Sequence, residues 1–407
     1  MADLKYWLWL TTRKGMSAAR VLAVLDHFVT PERAYYADRE DYEALPLPAS
    51  LWQGLLDKKL EQADRILGDC DRLGLRIMTF QDADYPQRLR QIADPPAVLY
   101  IRGKTFLFDE EAAIGVVGTR EPSEYGKKAA ETFGLELASG GALVVSGIAR
   151  GIDACAIRGV LKGGGPVVSL LAGGVGIRYP HENRFLYEDV AAAGALISEY
   201  PPGTEHKGSH FAPRNRILSG LCLGVLAVEC SPHGGGTLLT VNHAVEQDRD
   251  VFAVPGAIDA PMSAGTNRLI QQGAKLVTCG RDILEEYWDR YPQKLAASAP
   301  LSPQVAQARL SSPEPPAAEG EQEPPREAPP AEGREIIPLS QQKARFTDDE
   351  LAILAALKGR SLSADEVVER TQIPARYVLS ALTMLQVQGA VEEGAGRRFR
   401  ALVELEE

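Results

Sequence analysis

The chain is poor in the residues that usually announce chemistry. Its 407 residues include five cysteines, Cys70, Cys155, Cys222, Cys230 and Cys279, and no CxxC pair. That odd, scattered set excludes a disulfide framework and a cysteine zinc site, and suits reduced thiols. Cys222 and Cys230 bracket "LGVLAVE" and read as buried strand residues. None of the six histidines sits in HExxH spacing, and no GxSxG elbow occurs. There is no GxxxxGK[ST] loop, which argues against a P-loop ATPase. No apolar run approaches the ~18 residues of a membrane span. The N-terminal "YWLWL" is too short for a signal h-region and has no cleavage site behind it, so a cytoplasmic protein is expected. An excess of positive charge is also missing: the formal net charge is -11. This excludes a generally basic nucleic-acid coat but leaves room for a local basic cleft.

What is present is ordinary globular material, 45% hydrophobic and 24% charged, long enough for two or three domains. Residues 1–80 carry apolar positions at helical spacing, with Ser17 as a helix cap. Residues 81–112 read as a Pro-punctuated connector. From 113 to about 290, short β-branched runs alternate with helical stretches at 126–139, 153–161 and 182–193. The runs are "AIGVVG", "ALVVSG", "PVVSLLAGG", "GALISE", "GVLAVE" and "DVFAVPG". This pattern predicts an α/β core at 81–290, a parallel sheet with helices on both faces. Ligands of such sheets bind beyond the carboxyl ends of the strands. Residues 291–344, rich in Pro, Ala and Glu, read as a disordered linker. Residues 345–407 read as three helices and a hairpin, the order of a winged helix, capped at its start by Thr347 or Asp348.

Four strand ends carry the candidate residues. In "GVVGTREPSEYG" (115–126) a Gly turn leads into a helix, the setting that cradles phosphate, with Arg120 poised in it. Its spacing is not GxGxxG, and the next strand ends in Ser146-Gly147 without an acid for a ribose, so no dinucleotide cofactor is expected. In "VVSGIARGIDACAIRG" (144–159), Ser146, Gly147 and Gly151 form a second such turn beside Arg150, with Asp153 as helix cap. Arg120 could equally serve a surface salt bridge, and the glycines a tight turn. The third stretch, "HKGSHFAPRNRILSGL" (206–221), gathers Lys207, Phe211, Arg214, Asn215 and Arg216. Pro213 biases the chain around Phe211 toward extended backbone. Cations along a backbone with a ring for stacking are the components of a single-strand nucleic-acid groove. Phe211 could instead plug the loop from below, and one of Arg214 and Arg216 suffices to face the cleft. The fourth turn, "SPHGGGT" (231–237), closes the other side.

Taken together and in order, "GVVGTREPSEYG", "VVSGIARGIDACAIRG", "LISEYPPGT", "FAPRNRILSGL" and "VFAVPGAIDAPMSAGTNRLIQQGAKLV" resemble the bacterial DNA-processing protein A family, also called Smf. The resemblance implies an extended Rossmann-like core, a helical head of SAM-like or helix-hairpin-helix type, and a winged-helix tail. It implies a non-enzymatic binder of single-stranded DNA that loads RecA recombinase in natural transformation and homologous recombination, displaces single-strand-binding protein and acts as a homodimer. By the same resemblance Arg120, Ser146, Gly147, Gly151, Lys207, Phe211, Arg214, Asn215 and Arg216 contact DNA; no metal or cofactor is implied. Two positions depart from the family: Ile157 replaces a frequent histidine, and 232–237 replaces an Arg-Ser-Gly-Ser run. The tail offers few cations, Arg376 on its third helix and Arg397, Arg398 and Arg400 on its wing, which suits a protein partner better than duplex DNA. The competing reading is an enzyme. "GGGT" resembles the PGGxGTxxE motif of nucleoside-monophosphate phosphoribohydrolases, but Thr240 stands where the motif has its glutamate, and Glu246 is the nearest acid.

Overall fold

The computed structural model describes residues 2–231, 235–295, 335–338, 346–371, 373–388, 390–394 and 398–405. The chain divides into two units, Met1–Pro315 and Pro316–Glu407.

The first unit is built on a nine-stranded sheet. Its strands are β1 (Arg76–Thr79), β2 (Val98–Gly103), β3 (Ala113–Val117), β4 (Leu143–Ser146), β5 (Val167–Leu170), β6 (Ala195–Ser198), β7 (Gly224–Ala227), β8 (Asp250–Ala253) and β9 (Lys275–Leu276). They lie in the order β1-β2-β6-β5-β4-β3-β7-β8-β9. β3 to β9 run parallel, as the near-continuous apolar runs predict. The connector expected at 81–112 carries a strand of the sheet, β2. β1 and β2 pair antiparallel with each other, and β2 pairs antiparallel with β6, so the sheet begins inside the head and crosses the connector.

Alternate residues of a strand face opposite layers. Ile114 and Val116 of β3 join one core with Phe133, Ile157 and the head residues Leu8 and Trp9. Ala113 and Val117 join the other with Leu89, Ile217 and Leu221. Helices Glu124–Ser139 and Ile152–Gly163 therefore cover one face, and Phe211–Leu221 the other. The carboxyl ends of β3, β4 and β5 open at one edge between these layers. In the head, Ser17 caps the helix Ala18–Phe28 as its sequence promised, accepting from Arg20 N.

The second unit contains helices Asp348–Ala356, Ala364–Thr371 and Ala375–Val387. A three-stranded sheet places Arg398–Ala401 between Ser361–Ser363 and Val391–Gly394. Thr347 and Glu350 close a capping box at the first helix. The linker reading needs trimming at both ends. Tyr291 and Leu295 are buried in the first unit, and Glu335–Ile337 pairs with Val403–Leu405. Most of the remainder lies outside the described residues.

Candidate nucleic-acid interface

The first Gly turn ends in a helix start already supplied with an anion. Glu229, 2% exposed just beyond β7, accepts from Ser123 N at 2.9 Å and from Ser123 Oγ at 2.5 Å. Ser123 Oγ in turn accepts from Gly126 N at 3.1 Å and caps Glu124–Ser139. A Cβ on Gly126 would fall 2.0 Å from Glu229 Oε2, so the carboxylate needs that glycine. The helix dipole and the Ser123 N–H at this start thus already serve Glu229.

The second turn is filled in the same way. Asp153 Oδ2 accepts from Ala149 N at 3.3 Å. Burial pushes the Asp153 carboxyl up, and the Arg214 guanidinium opposes it. Gly147 lies between the two: a Cβ there would sit 2.3 Å from Arg214 Nη1 and 2.6 Å from Asp153 Oδ2. Gly151, at φ 77°, brings the turn against the first one; a Cβ would meet Thr119 O at 2.4 Å. Ile152 N donates to that same Thr119 O. Ser146 is buried and donates to Val116 O at 2.8 Å. Ile148, a β-branched residue at φ 56°, is strained, and Asn183 Nδ2 donates to its carbonyl and to that of Ala149. Strain of this kind persists only where surrounding contacts impose it.

The third stretch splits. Phe211 adopts φ -72°, ψ -43° and opens the helix Phe211–Leu221, so the extended backbone expected from Pro213 is not found. Pro213 stands in the first helical turn, where a missing N–H leaves no bond unmade. Arg214 is 6% exposed; it donates to Asn215 Oδ1 and to Leu170 O at the end of β5. Burial lowers its pKa and Asp153 works against that, and the guanidinium stays charged. Asn215 is buried and donates to Gly236 O, tying two helix starts together. Arg216 points the other way. It donates to both oxygens of Glu199, at 2.9 and 2.7 Å, and to Asp94 O at 2.8 Å. Arg214, not Arg216, faces the strand ends.

The exposed remainder is small and specific. Arg120 stacks on Phe211, its guanidinium carbon 4.6 Å from the ring centroid, with no carboxylate partner among the described residues. Lys207 is exposed. Tyr179, 41% exposed, packs 4.4 Å from the ring of His206 and 6.2 Å from Phe211. Burial, His210 and Arg214 all lower the His206 pKa, leaving a neutral imidazole at pH 7. The surface therefore presents aromatic faces and two open cations above a buried, self-neutralised base. Residues 232–234 of the fourth turn lie outside the described residues.

A family model described as DNA recombination-mediator protein A matches residues 76–288, from the first residue of β1 to just past β9 and more than half of the chain. The chain belongs to the DNA-processing protein A family. A second model, the DprA winged helix domain, matches residues 313–397. DNA processing protein DprA of Bacillus subtilis is 40% identical over 229 residues, covering 56% of this chain and 77% of the relative. Protein Smf of Synechocystis is 29% identical over 415 residues, 98% of this chain and 99% of the relative. The X-ray structure of DNA processing protein A from Streptococcus pneumoniae superposes with a TM-score of 0.61 at 30% identity, over 69% of this chain and 97% of that one.

Within this DNA-processing protein A core, sequence reasoning passed over Glu229, Tyr179 and Asn183. Glu229 carries a signal in hindsight: an acid closing a wholly apolar strand has to meet a donor. Tyr179 and Asn183 share "RYPHEN", whose role depends on contacts with turns that are distant in sequence. In the tail, Arg398 pairs with Glu366 at 2.9 Å and donates to Ser361 O, and Arg400 pairs with Glu392. Arg397 and the Arg376 side chain lie outside what is described.

Proposed function

We propose that the face around Arg120, Lys207 and Phe211 binds single-stranded DNA without chemical catalysis. The observation that carries this is an open cation lying over a half-buried phenylalanine at a strand end. Arg120 and Lys207 neutralise phosphates, while the Phe211 face takes a base once the guanidinium slides aside onto the backbone. Bases of every kind have a stacking face, so such a site accepts any sequence. Duplex DNA hides those faces, and the overall charge of -11 repels a rod of phosphates. The buried residues Ser146, Gly147, Gly151, Arg214, Asn215 and Arg216 shape and hold this surface; their side chains are not its contacts.

Family membership extends the reading. We infer that the chain mediates recombination, delivering bound strands to a RecA-type recombinase in place of single-strand-binding protein during natural transformation, and works as a homodimer. An enzymatic role finds less support. Thr240 stands where a phosphoribohydrolase motif needs its acid, and Glu246 ends the helix Gly236–Glu246, paired with His243 at 3.2 Å.

Fluorescence anisotropy with labelled oligo(dT) and with a matched duplex tests the site. The single strand binds more tightly, and its affinity falls with salt by a log–log slope of about 0.7 per neutralised phosphate. Arg120→Ala and Lys207→Ala each weaken it. Undiminished binding by both variants refutes the site.

A further inference from the structure

The aromatic and cationic character of the interface does not stop at Phe211. The loop 178–185, "RYPHENRF", places Tyr179, its second residue, beside Phe211 and His206 and ends at Phe185, the residue before helix Leu186–Ala193. Two anchors fix it. Tyr187 Oη donates to Tyr179 O at 2.7 Å and accepts from Tyr179 N at 3.0 Å. Asn183 donates to the Ile148 and Ala149 carbonyls of the second Gly turn, at 3.0 and 2.9 Å. The exposed ion pair of Arg150 with Glu182, at 3.4 Å, lies across the same junction. The loop is therefore one surface with the turn that abuts Arg120.

Its far end repeats the arrangement at Arg120. Phe185 is 40% exposed, and the Arg184 guanidinium carbon sits 4.2 Å from its ring centroid. Arg184 Nη1 also touches the His181 ring nitrogens, at 2.9 and 3.0 Å, and no carboxylate pairs with it among the described residues. By contrast Arg178, on the same loop, is tied to Glu188. Phe185 keeps part of its ring in solvent beneath an arginine that meets no carboxylate among the described residues. This is the pairing that a single strand exploits, phosphate to the cation and base to the ring.

We propose that Phe185 and Arg184 form a second nucleotide station, reached from Phe211 across Tyr179, so that one strand occupies both. This rests on the single-strand reading of the Arg120 site and extends its footprint. The station takes a nucleotide through stacking and one phosphate contact and reads no base edge, so it adds affinity and strand length without sequence preference.

The test is affinity against strand length, with oligo(dT) from about 4 to about 16 nucleotides, the span of common single-strand site sizes. Thermal melting and circular dichroism confirm that each variant folds. Phe185→Ala is expected to lower affinity for the long strands about tenfold, to leave the shortest unchanged, and to be rescued by Phe185→Tyr. Arg184→Gln reproduces the loss and lowers the salt slope for long strands only. Wild-type affinity at every length in both variants overturns the station, as does an equal loss at every length. Arg120→Ala and Phe211→Ala separate the two ideas. Wild-type binding in those two, with a length-dependent loss in Phe185→Ala, refutes the Arg120 site and leaves the loop as the binding surface.

Discussion

The strand-end face of the core and the wing of the tail both display arginines, and the two regions differ in what those arginines already hold. Arg398 and Arg400 are engaged by Glu366 and Glu392. Arg120 lies on a ring, forms no ion pair with a carboxylate among the described residues, and feels only the more distant charge of Asp153. Neutralising a phosphate with Arg398 means breaking an ion pair first, so the gain is small; with Arg120 it means only displacing solvent and sliding along a ring. Counting cations along the sequence already ranks the tail below the core. Their availability separates the two further. The same distinction runs inside the core, where Arg216 is saturated and Arg120 is open.

The largest effect is expected at the saturated arginine. Arg216→Met leaves Glu199 without its guanidinium and Asp94 without its ion pair; the arginine is buried but both acids reach solvent, so the loss is at most about 3 kcal/mol, the low end for a buried pair. Chemical denaturation reads this directly. The salt slope of DNA binding by the surviving folded protein stays at the wild-type value, because Arg216 touches no phosphate; a reduced slope breaks the distinction. Next comes Gly151→Ala. A Cβ at φ 77° and 2.4 Å from Thr119 O has to push the two turns apart. Stability falls by about 1–3 kcal/mol, the scale of backbone strain, and affinity falls with it because Arg120 moves. Retained stability with lost affinity assigns Gly151 to the ligand directly.

At the open arginine the ranking reverses. Arg120→Ala leaves melting within about 0.5 kcal/mol of wild type, as surface changes do, and lowers single-strand affinity about tenfold through the lost phosphate and ring contacts. Arg398→Ala and Arg400→Ala leave affinity within about twofold, as exposed paired charges do. Anisotropy on the three variants at one salt concentration decides it. A tail variant that matches Arg120→Ala would erase the contrast between the regions.

The sequence made the core legible because its strands are short apolar runs with helices between them, and that periodicity survives any detail of packing. It hid β1 and β2, whose antiparallel pairing leaves no βαβ rhythm to detect. At the site, residue types were legible and their directions were not. Arg214 and Arg216 stand two apart on one helix, and what turns one toward Asp153 and the other toward Glu199 lies 61 and 17 residues away in sequence. The carboxylates at the two Gly turns were hidden for a related reason. The anion at each helix start is a protein carboxylate, Glu229 or Asp153, and Glu229 lies 106 residues from the Ser123 it caps.

The smallest effect sharpens the contrast through pH. His206, between Tyr179 and Phe211, has its pKa lowered by burial and then by His210 and Arg214. The unfolded chain takes up this proton near pH 6.5, while the folded protein takes it up only at lower pH. Between those values the unfolded state holds more protons, so this contribution to stability is full above pH 6.5 and is lost as pH falls through the window. A bound strand acts in the opposite sense. Its phosphates favour the imidazolium, so the complex binds more protons than the free protein and affinity rises as pH falls through the same window, by about two- to threefold. His206→Gln removes the rise specific to this ring. Anisotropy from pH 7.5 downward on wild type and His206→Gln, beside denaturation over the same range, reads both slopes. Parallel slopes, with affinity and stability falling together, place the phosphates away from His206 and move the strand off the Tyr179–Phe211 face.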